Sequence, residues 1–184
     1  GMNGRFIRRA LETLEIPADF VDVDGETRVN LKITDPEGGT ETEINESGFP
    51  VGADHLERLK QKLGVYASQS KVVVFCGSLP PGAPQDTYAE LLAIARRQGA
   101  RTILDSSGAA LARGLEERPD LVKPNRAEAE ELLGRSLDNQ TELARAVRDL
   151  LDMGPTTAVI SMGAEGLVAG RRDRIVLAAP PAVT

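Results

Sequence analysis

The stretch KVVVFCGSLPPGAPQDTYAELLAIARRQGARTILD, residues 71–105, decides the fold of this chain. Its apolar run from Val72 to Phe75 is typical of a strand that is covered on both faces in a parallel sheet. A helical pattern follows over residues 84–98, Gly99 stands where that helix should end, and a second strand comes next. This is a βαβ unit. Ligands of open α/β sheets bind beyond the carboxyl ends of the strands, so the loop Gly77–Gly82 lies where a ligand would bind.

The same alternation continues to the end of the chain. We predict short strands and helices in turn, including a helix from Arg126 to Leu133 that Gly134 closes. The last segment, residues 156–180, reads as strand, glycine turn, strand, basic turn and strand. The fold class predicted from the residues is therefore α/β, a parallel sheet with flanking helices.

The first part of the chain has a different pattern. A helix begins almost at once, and no strand leads into it. TRVNLKIT, residues 27–34, and TETEIN, residues 40–45, then alternate around a DPEGG turn, which suits an antiparallel sheet with one wet face. We therefore predict a small lid or interface over residues 16–45, and an α/β core over residues 1–15 and 46–184.

Composition excludes several classes of function. The 184 residues carry a formal net charge of -6 and only 3% aromatic residues, so neither nucleic acid nor an anionic membrane is a favoured partner. No apolar run approaches the length of a membrane span. The single cysteine, Cys76, excludes an internal disulfide and fits a reducing cytoplasm. We expect Cys76 to be a small buried residue.

Two motifs in the α/β part have both a structural and a functional interpretation. Gly77 and Gly82 would let the loop around Ser78 approach a ligand, but a rigid connection with Pro84 in the first helical turn explains the same residues. Asn125 and Glu128 have the spacing of a capping box, and the same helix start suits a phosphate or hydrated Mg²⁺. Lys123, just before that helix, favours an anionic ligand, although it could be an ordinary surface lysine.

Two further groups are open in the same way. Gly163 and Gly166 follow a strand and suit either a hairpin turn or a turn that holds phosphate; no P-loop signature follows them. Arg28, Asn30 and Lys32 line one face of the strand predicted at 27–34, and that strand places no acid among them. A solvated strand face and a site for a phosphorylated small molecule both fit.

Taken together, six segments resemble the PfkB, or ribokinase-like, family of sugar kinases. They are, in order, GETRVNLKI, TETEINE, GSLPPG, ILDSSG, KPNRAEAEELLG and SMGAEG. The combination of TETEINE with KPNRAE resembles the branch of 1-phosphofructokinases and tagatose-6-phosphate kinases. The resemblance implies a Rossmann-like α/β domain with a β-sheet lid, incomplete in this chain, which uses Mg²⁺ and ATP as phosphate donor.

The resemblance also implies roles for particular residues. Arg28, with Lys32 as a weaker candidate, would contact the phosphate of the sugar, and Ser78 would contact the sugar itself. Asn125 and Glu128 match the N-x-x-E motif that helps to place Mg²⁺. The residues expected to contact or border the nucleotide are Lys123, Ser161, Gly163 and Gly166.

Parts of the family pattern are absent from these 184 residues. Neither the G-G-K-G-x-N segment nor the G-A-G-D motif, which carries the catalytic base, is found. We therefore expect an internal fragment of a kinase that converts fructose 1-phosphate to fructose 1,6-bisphosphate, nearly inactive alone. The alternatives are a tagatose-6-phosphate kinase and a non-catalytic module that binds a phosphosugar. A homodimer through the lid or through exposed strand edges is also expected.

Overall fold

The computed structural model describes residues 1–36 and 38–180 and divides them into two compact units. Unit 1 consists of Gly1–Leu59 with Pro80–Ala83, and unit 2 of Lys60–Leu79 with the chain from Pro84 onwards. This division groups the first helix with the predicted lid. The boundaries of core and lid predicted from the sequence stay a prediction.

Unit 1 contains a helix and a two-stranded ribbon. Helix α1 spans Met2–Thr13, strand β1 Asn30–Asp35 and strand β2 Thr40–Asn45. The strands pair antiparallel, with Leu31 opposite Ile44, as the alternating pattern predicted. The prediction of one wet face was wrong, because every residue of both strands is exposed. The predicted turn at 35–39 is present at Pro36, Gly38 and Gly39, while Asp35 still belongs to β1 and Glu37 lies outside the described residues.

The first turn of α1 is held by a distant carboxylate. The backbone N–H groups of Met2 and Asn3 both donate to Glu26, each at 2.6 Å. These two hydrogen bonds lower the pKa of Glu26. A carboxylate at a helix N-terminus satisfies donors that have no partner within the helix.

Helix α2, Ala53–Ala67, begins in unit 1 and ends in unit 2, and the sheet of unit 2 follows it. Its strands are β3 Val72–Cys76, β4 Arg101–Asp105, β5 Leu121–Val122, β6 Thr157–Ser161, β7 Leu167–Arg171 and β8 Arg174–Ala178. The spatial order equals the chain order; β3 to β6 run parallel, and β7 and β8 form antiparallel hairpins after them. The helices are α3 Thr87–Arg97, α4 Gly108–Glu116, α5 Arg126–Leu133 and α6 Gln140–Asp152.

The core of unit 2 lies between the sheet and these helices. Leu104 and Val122 from the strands meet leucines of α3, α4 and α6, all almost fully buried. Gly114 allows close packing there, since a Cβ at this position would lie 2.5 Å from the buried Leu104 side chain and would force it to move. The predicted α/β class is confirmed: a mainly parallel sheet with helices packed against it. No helix among residues 1–36 and 38–180 is long and apolar enough to cross a membrane.

Several local predictions were wrong, and strand β3 explains two of them. Only one face of this edge strand is covered: Phe75 is buried, whereas Val72 and Val74 on the other face remain 38% and 55% exposed. Cys76, at its end, is exposed rather than buried. An apolar run indicates a strand but does not show which elements lie beside it.

Two element boundaries also differ from the prediction. Helix α3 begins at Thr87, after Asp86 as N-cap, so Pro84 precedes the helix instead of lying in its first turn. Strand β1 begins at Asn30, so Arg28 lies before the strand and not on its face. Such ends depend on turn and cap geometry, which hydrophobic periodicity does not encode.

Candidate functional site

The candidate site of unit 2 lies at the carboxyl ends of its parallel strands. Ser78 follows β3, Asp105 ends β4, Lys123 follows β5 and Ser161 ends β6. Parallel strands that are neighbours present their ends at one edge of the sheet, where α/β proteins bind ligands. The structure therefore brings the candidate residues of unit 2 to one edge.

An ion pair lies in the middle of this edge. Lys123 Nζ is 3.0 Å from Asp105 Oδ1, and both side chains are partly exposed, 40% and 36%. The backbone holds the two residues together, because the N–H of Lys123 donates to the carbonyl of Leu104 at 3.0 Å. A lysine in this position offers a positive charge to an anion at the sheet edge. Asp105, in the ILDSSG segment, received no role from the sequence, although its place after a predicted strand was a usable signal.

The start of α5 carries the predicted capping box. Asn125 Oδ1 accepts the N–H of Glu128 at 2.9 Å, and Glu128 Oε2 accepts the N–H of Asn125 at 2.8 Å. The capping interpretation is confirmed. It leaves Glu128 Oε1 as a second carboxylate oxygen beside a helix N-terminus, so the box does not prevent a role toward a hydrated cation.

These residues have the chemistry expected for a loosely held Mg²⁺. No group of three or more His, Cys, Asp or Glu side chains in the described parts of the chain could hold a metal ion. Mg²⁺ usually keeps several waters and takes one or two carboxylates together with substrate phosphates. Glu128 and Asn125 fit that pattern of binding. The described residues do not offer a closed cage of protein ligands for a metal ion.

The turn after β6 contains the two predicted glycines. Gly163 and Gly166 have φ angles of +57° and +95°. Gly163 begins a short 3-10 turn, Gly163–Glu165, between β6 and β7, and Gly166 follows it. A Cβ at Gly166 would lie 2.0 Å from the carbonyl oxygen of Ala178, so this position requires glycine. The hairpin interpretation is confirmed. Ser161 is bonded to the α5 side of the site, since its N–H donates to the carbonyl of Pro124 at 3.1 Å.

Arg126 connects the two segments just described. Its Nη2 donates to Glu165 Oε2 at 2.9 Å and to Met162 Sδ at 3.3 Å. The hydrogen bond to Glu165 raises the pKa of Arg126. Sequence reasoning missed this arginine, because nothing in the local pattern pairs it with a carboxylate so far along the chain.

Tyr88 supports the turn that precedes Ser78. Its hydroxyl lies 2.9 Å from the carbonyl oxygens of both Cys76 and Gly77, and Ser106 Oγ donates to the Gly77 carbonyl at 3.3 Å. Burial, followed by the nearby Cys76 and Asp105, raises the pKa of Tyr88. Gly77 has a φ of +95°, which only glycine adopts readily. The loop is thus held by its neighbours and not only by its prolines.

Arg28 and Lys32, the predicted phosphate contacts, belong to unit 1. Lys32 Nζ pairs with Glu41 Oε2 at 2.7 Å and lies 3.9 Å from Glu43 Oε1, and the hydrogen bond to Glu41 raises the pKa of Lys32. The face of Lys32 is therefore not free of acid, because β2 supplies it. Arg28 is exposed and lies beside Gly48, where a Cβ would be 3.7 Å from its side chain.

Comparison with known proteins identifies the family. The model of the pfkB family carbohydrate kinases matches residues 1–184. The chain belongs to this family. The family resemblance found in the sequence is confirmed, and with it the ribokinase-like fold.

Named relatives fit this assignment. The chain is 44% identical over 159 residues to a 1-phosphofructokinase of Rhodobacter capsulatus, covering 86% of this chain and 50% of that protein. It is 40% identical over 163 residues to the 1-phosphofructokinase of Xanthomonas campestris, covering 86% and 51%. The tetrameric inhibited form of phosphofructokinase-2 from Escherichia coli superposes with a TM-score of 0.88 at 28% identity, covering 100% of this chain and 61% of that one. The chain thus spans about half the length of the curated relatives it matches.

Proposed function

We propose that this chain is part of a 1-phosphofructokinase. The reaction would transfer the γ-phosphoryl group of ATP to the free primary hydroxyl of fructose 1-phosphate and yield fructose 1,6-bisphosphate and ADP. The observation that carries the proposal is the 40–44% identity to proteins of that name over 86% of the chain. The positive Lys123 beside the start of α5 is consistent with a site for nucleotide phosphates.

Each candidate residue has a definite part in this proposal. Ser78 contacts the sugar, and Arg28 with Lys32 contacts the phosphate that the sugar already bears. Lys123 faces the nucleotide phosphates, which the turn Gly163–Gly166 and Ser161 border. Asn125 and Glu128 hold Mg²⁺ through its waters. When bound, Mg²⁺ would neutralise charge on the phosphates.

We expect little turnover from the 184-residue chain by itself. Phosphoryl transfer depends on positioned charge and on a group that accepts the proton of the attacking hydroxyl. The G-A-G-D motif that carries this base in the family is not among these residues. A coupled assay of ADP release at a rate typical of kinases, about 1–100 s⁻¹, would contradict this expectation.

A thermal-shift panel tests the substrate class. The chain is melted with fructose 1-phosphate, tagatose 6-phosphate, fructose 6-phosphate and Mg-ATP, each in turn. A ligand that binds the folded state raises the melting temperature by mass action. We expect the largest shift with fructose 1-phosphate. A larger shift with tagatose 6-phosphate would favour the alternative kinase, and sugar binding without any nucleotide binding would favour a non-catalytic module.

The ribbon of unit 1 suggests a partner. Leu31 and Ile33 of β1, Ile44 of β2 and Val29 just before β1 are apolar and each about half exposed. A contiguous apolar face of this kind is unusual on a monomer and marks an interaction surface. We propose that the ribbon of a second copy covers it. Light scattering on the wild-type chain and on Ile33→Asp tests whether the ribbon is the dimer interface, since only the wild type should dimerise.

Action in the cytoplasm stays a prediction.

A further inference from the structure

Arg126 lies between two segments of the proposed site, one that would hold Mg²⁺ and one that would border the nucleotide. It is the first residue of α5, directly after Asn125 and in the same helical turn as Glu128. Its guanidinium contacts Met162 and Glu165, which belong to the turn after β6. One side chain therefore joins the segment proposed for the metal to the segment proposed for the nucleotide.

The turn after β6 has three polar contacts with the start of α5 and the residues just before it, one of them from Arg126 to Met162 Sδ at 3.3 Å. At its base, the N–H of Ser161 donates to the carbonyl of Pro124 at 3.1 Å. Near its tip, Glu165 accepts from Arg126 at 2.9 Å. The bonds inside the turn, such as Met162 N–H to the Gly166 carbonyl at 2.8 Å, set its shape but not its tilt. The pairing of Ser161 with Leu167 and the close approach of Gly166 to the Ala178 carbonyl hold the base of the turn, so the bridge from Arg126 acts on its tip.

The arginine is held more tightly than a surface arginine would be. Its side chain is only 32% exposed, and its Nε is buried without a hydrogen-bond partner among the described residues. A buried donor without a partner is unfavourable, and a freely solvated side chain would give that N–H to water. The charge-assisted bond from Nη2 to Glu165, whose side chain is 66% exposed, offsets part of this cost and directs the guanidinium toward the turn.

We propose that Arg126 is a positioning residue: its bridge to Glu165 holds the turn Gly163–Gly166 at a set distance from Asn125 and Glu128. The two halves of the Mg-nucleotide site are then matched before the ligand arrives, so that metal and nucleotide bind cooperatively. This rests on the proposed function for the ligands, whereas the mechanical part concerns the ligand-free chain. Preorganisation of this kind favours binding because less motion is lost when the ligand binds.

The mechanical part is tested without ligand by amide hydrogen exchange. In Arg126→Gln and in Glu165→Gln, the amides of Glu165 and Gly166 should exchange about two- to fivefold faster, the range expected for a partly exposed ion pair. The double variant should add little to either single one, because each removes the same bridge. Arg113→Gln is the matched control, since it breaks the exposed Arg113–Glu116 pair of 3.0 Å on α4 and should leave the turn unchanged. Unchanged exchange in both bridge variants would overturn the proposal.

The cooperative part is tested by calorimetric titration with ADP, with and without Mg²⁺. In the wild-type chain, Mg²⁺ should strengthen ADP binding, and Arg126→Gln should reduce that enhancement about two- to fivefold. Arg126→Lys should restore part of it by returning a cation to Glu165. Loss of ADP affinity by the same factor with and without Mg²⁺ would indicate a general structural defect and overturn cooperativity.

Failure of the proposed function gives a different result. If the wild-type chain binds no ADP under either condition, the nucleotide role proposed for this chain is wrong and the cooperative part falls with it. The exchange measurement needs no ligand and still decides whether the bridge holds the turn. The two failures are therefore distinguishable.

Discussion

The two units of this chain differ sharply in how much they bury. Unit 2 contains every buried residue of the described chain, among them Leu104, Leu111 and Leu150, each fully buried. None of the described residues of unit 1 is buried. Both units show clear secondary structure, so regular hydrogen bonding alone does not produce a core. What unit 2 has in addition is helices packed against a sheet.

The difference has a physical cause in the number of layers. The ribbon β1–β2 has only two strands, and an isolated ribbon of this size is marginally stable in water. Its cross-strand pairs, Lys32 with Glu43 and Leu31 with Ile44, are all exposed on both faces. Unit 2 instead excludes water between layers, which is the dominant favourable term in folding. We therefore expect the ribbon to gain stability when a partner or a ligand covers it.

Matched leucine truncations provide the strongest test of this contrast. Leu104→Ala removes a fully buried side chain from β4 and should cost about 2–5 kcal/mol of unfolding free energy. Leu31→Ala, half exposed in β1, should change the unfolding free energy by less than about 0.5 kcal/mol. Urea unfolding at a concentration where light scattering shows a monomer measures both. Equal costs would show that unit 1 has a core of its own.

The caps of two helices within unit 2 separate a structural role from a functional one. Asn125→Ala removes the N-cap of α5 and Asn139→Ala that of α6, where the side chain accepts the N–H of Glu142 at 3.0 Å. Each substitution should cost about 1 kcal/mol of unfolding free energy. Only Asn125→Ala should also reduce the effect of Mg²⁺ on nucleotide binding. A similar reduction in Asn139→Ala would contradict a specific role of Asn125 toward Mg²⁺.

Removal of the buried Tyr88 hydroxyl tests how firmly the turn before Ser78 is held. Tyr88→Phe leaves the carbonyls of Cys76 and Gly77 without this donor and should cost about 0.5–1.5 kcal/mol of unfolding free energy. The raised pKa of Tyr88 adds a pH dependence. Its contribution is complete below the pKa of the unfolded state, about 10, and is lost as the pH rises toward the higher folded pKa.

The measurement for this pH dependence is a series of unfolding experiments between pH 7 and pH 11. Wild-type stability should fall more steeply above pH 10 than that of Tyr88→Phe, which has no phenol to ionise. The other tyrosine, Tyr66, is half exposed and present in both proteins. Parallel curves would mean that ionisation of Tyr88 does not differ between folded and unfolded states.

The smallest effect on stability is expected in the ribbon. Lys32 and Glu41 are both about half exposed, so neither Lys32→Gln nor Glu41→Gln should move the melting temperature measurably. Their effects on ligand binding should have opposite signs. Lys32→Gln should reduce the thermal shift caused by fructose 1-phosphate. Glu41→Gln should increase it, because Glu41 then no longer competes with the sugar phosphate for Lys32. Identical shifts in both variants would remove Lys32 from the phosphate site.

The sequence by itself determined whatever depends on neighbours along the chain. The capping box of Asn125 and Glu128, the left-handed Gly134 after α5 and the alternating ribbon strands were all predicted correctly. Each of these rests on hydrogen bonds or side-chain alternation within a few residues. The ordered family motifs also identified the ribokinase-like fold, because six together are far more specific than one.

Only the tertiary structure decided which residues meet across the sheet edge and which remain exposed. An apolar run predicts a strand, but its place in the sheet depends on the other strands, so the exposure of Val74 and Cys76 was not predictable locally. The pairs Lys123–Asp105 and Arg126–Glu165 join different segments of the chain, and charge pattern alone does not select one partner among many carboxylates. The physical reason is that local geometry sets each element, whereas the packing of the elements sets every contact between them.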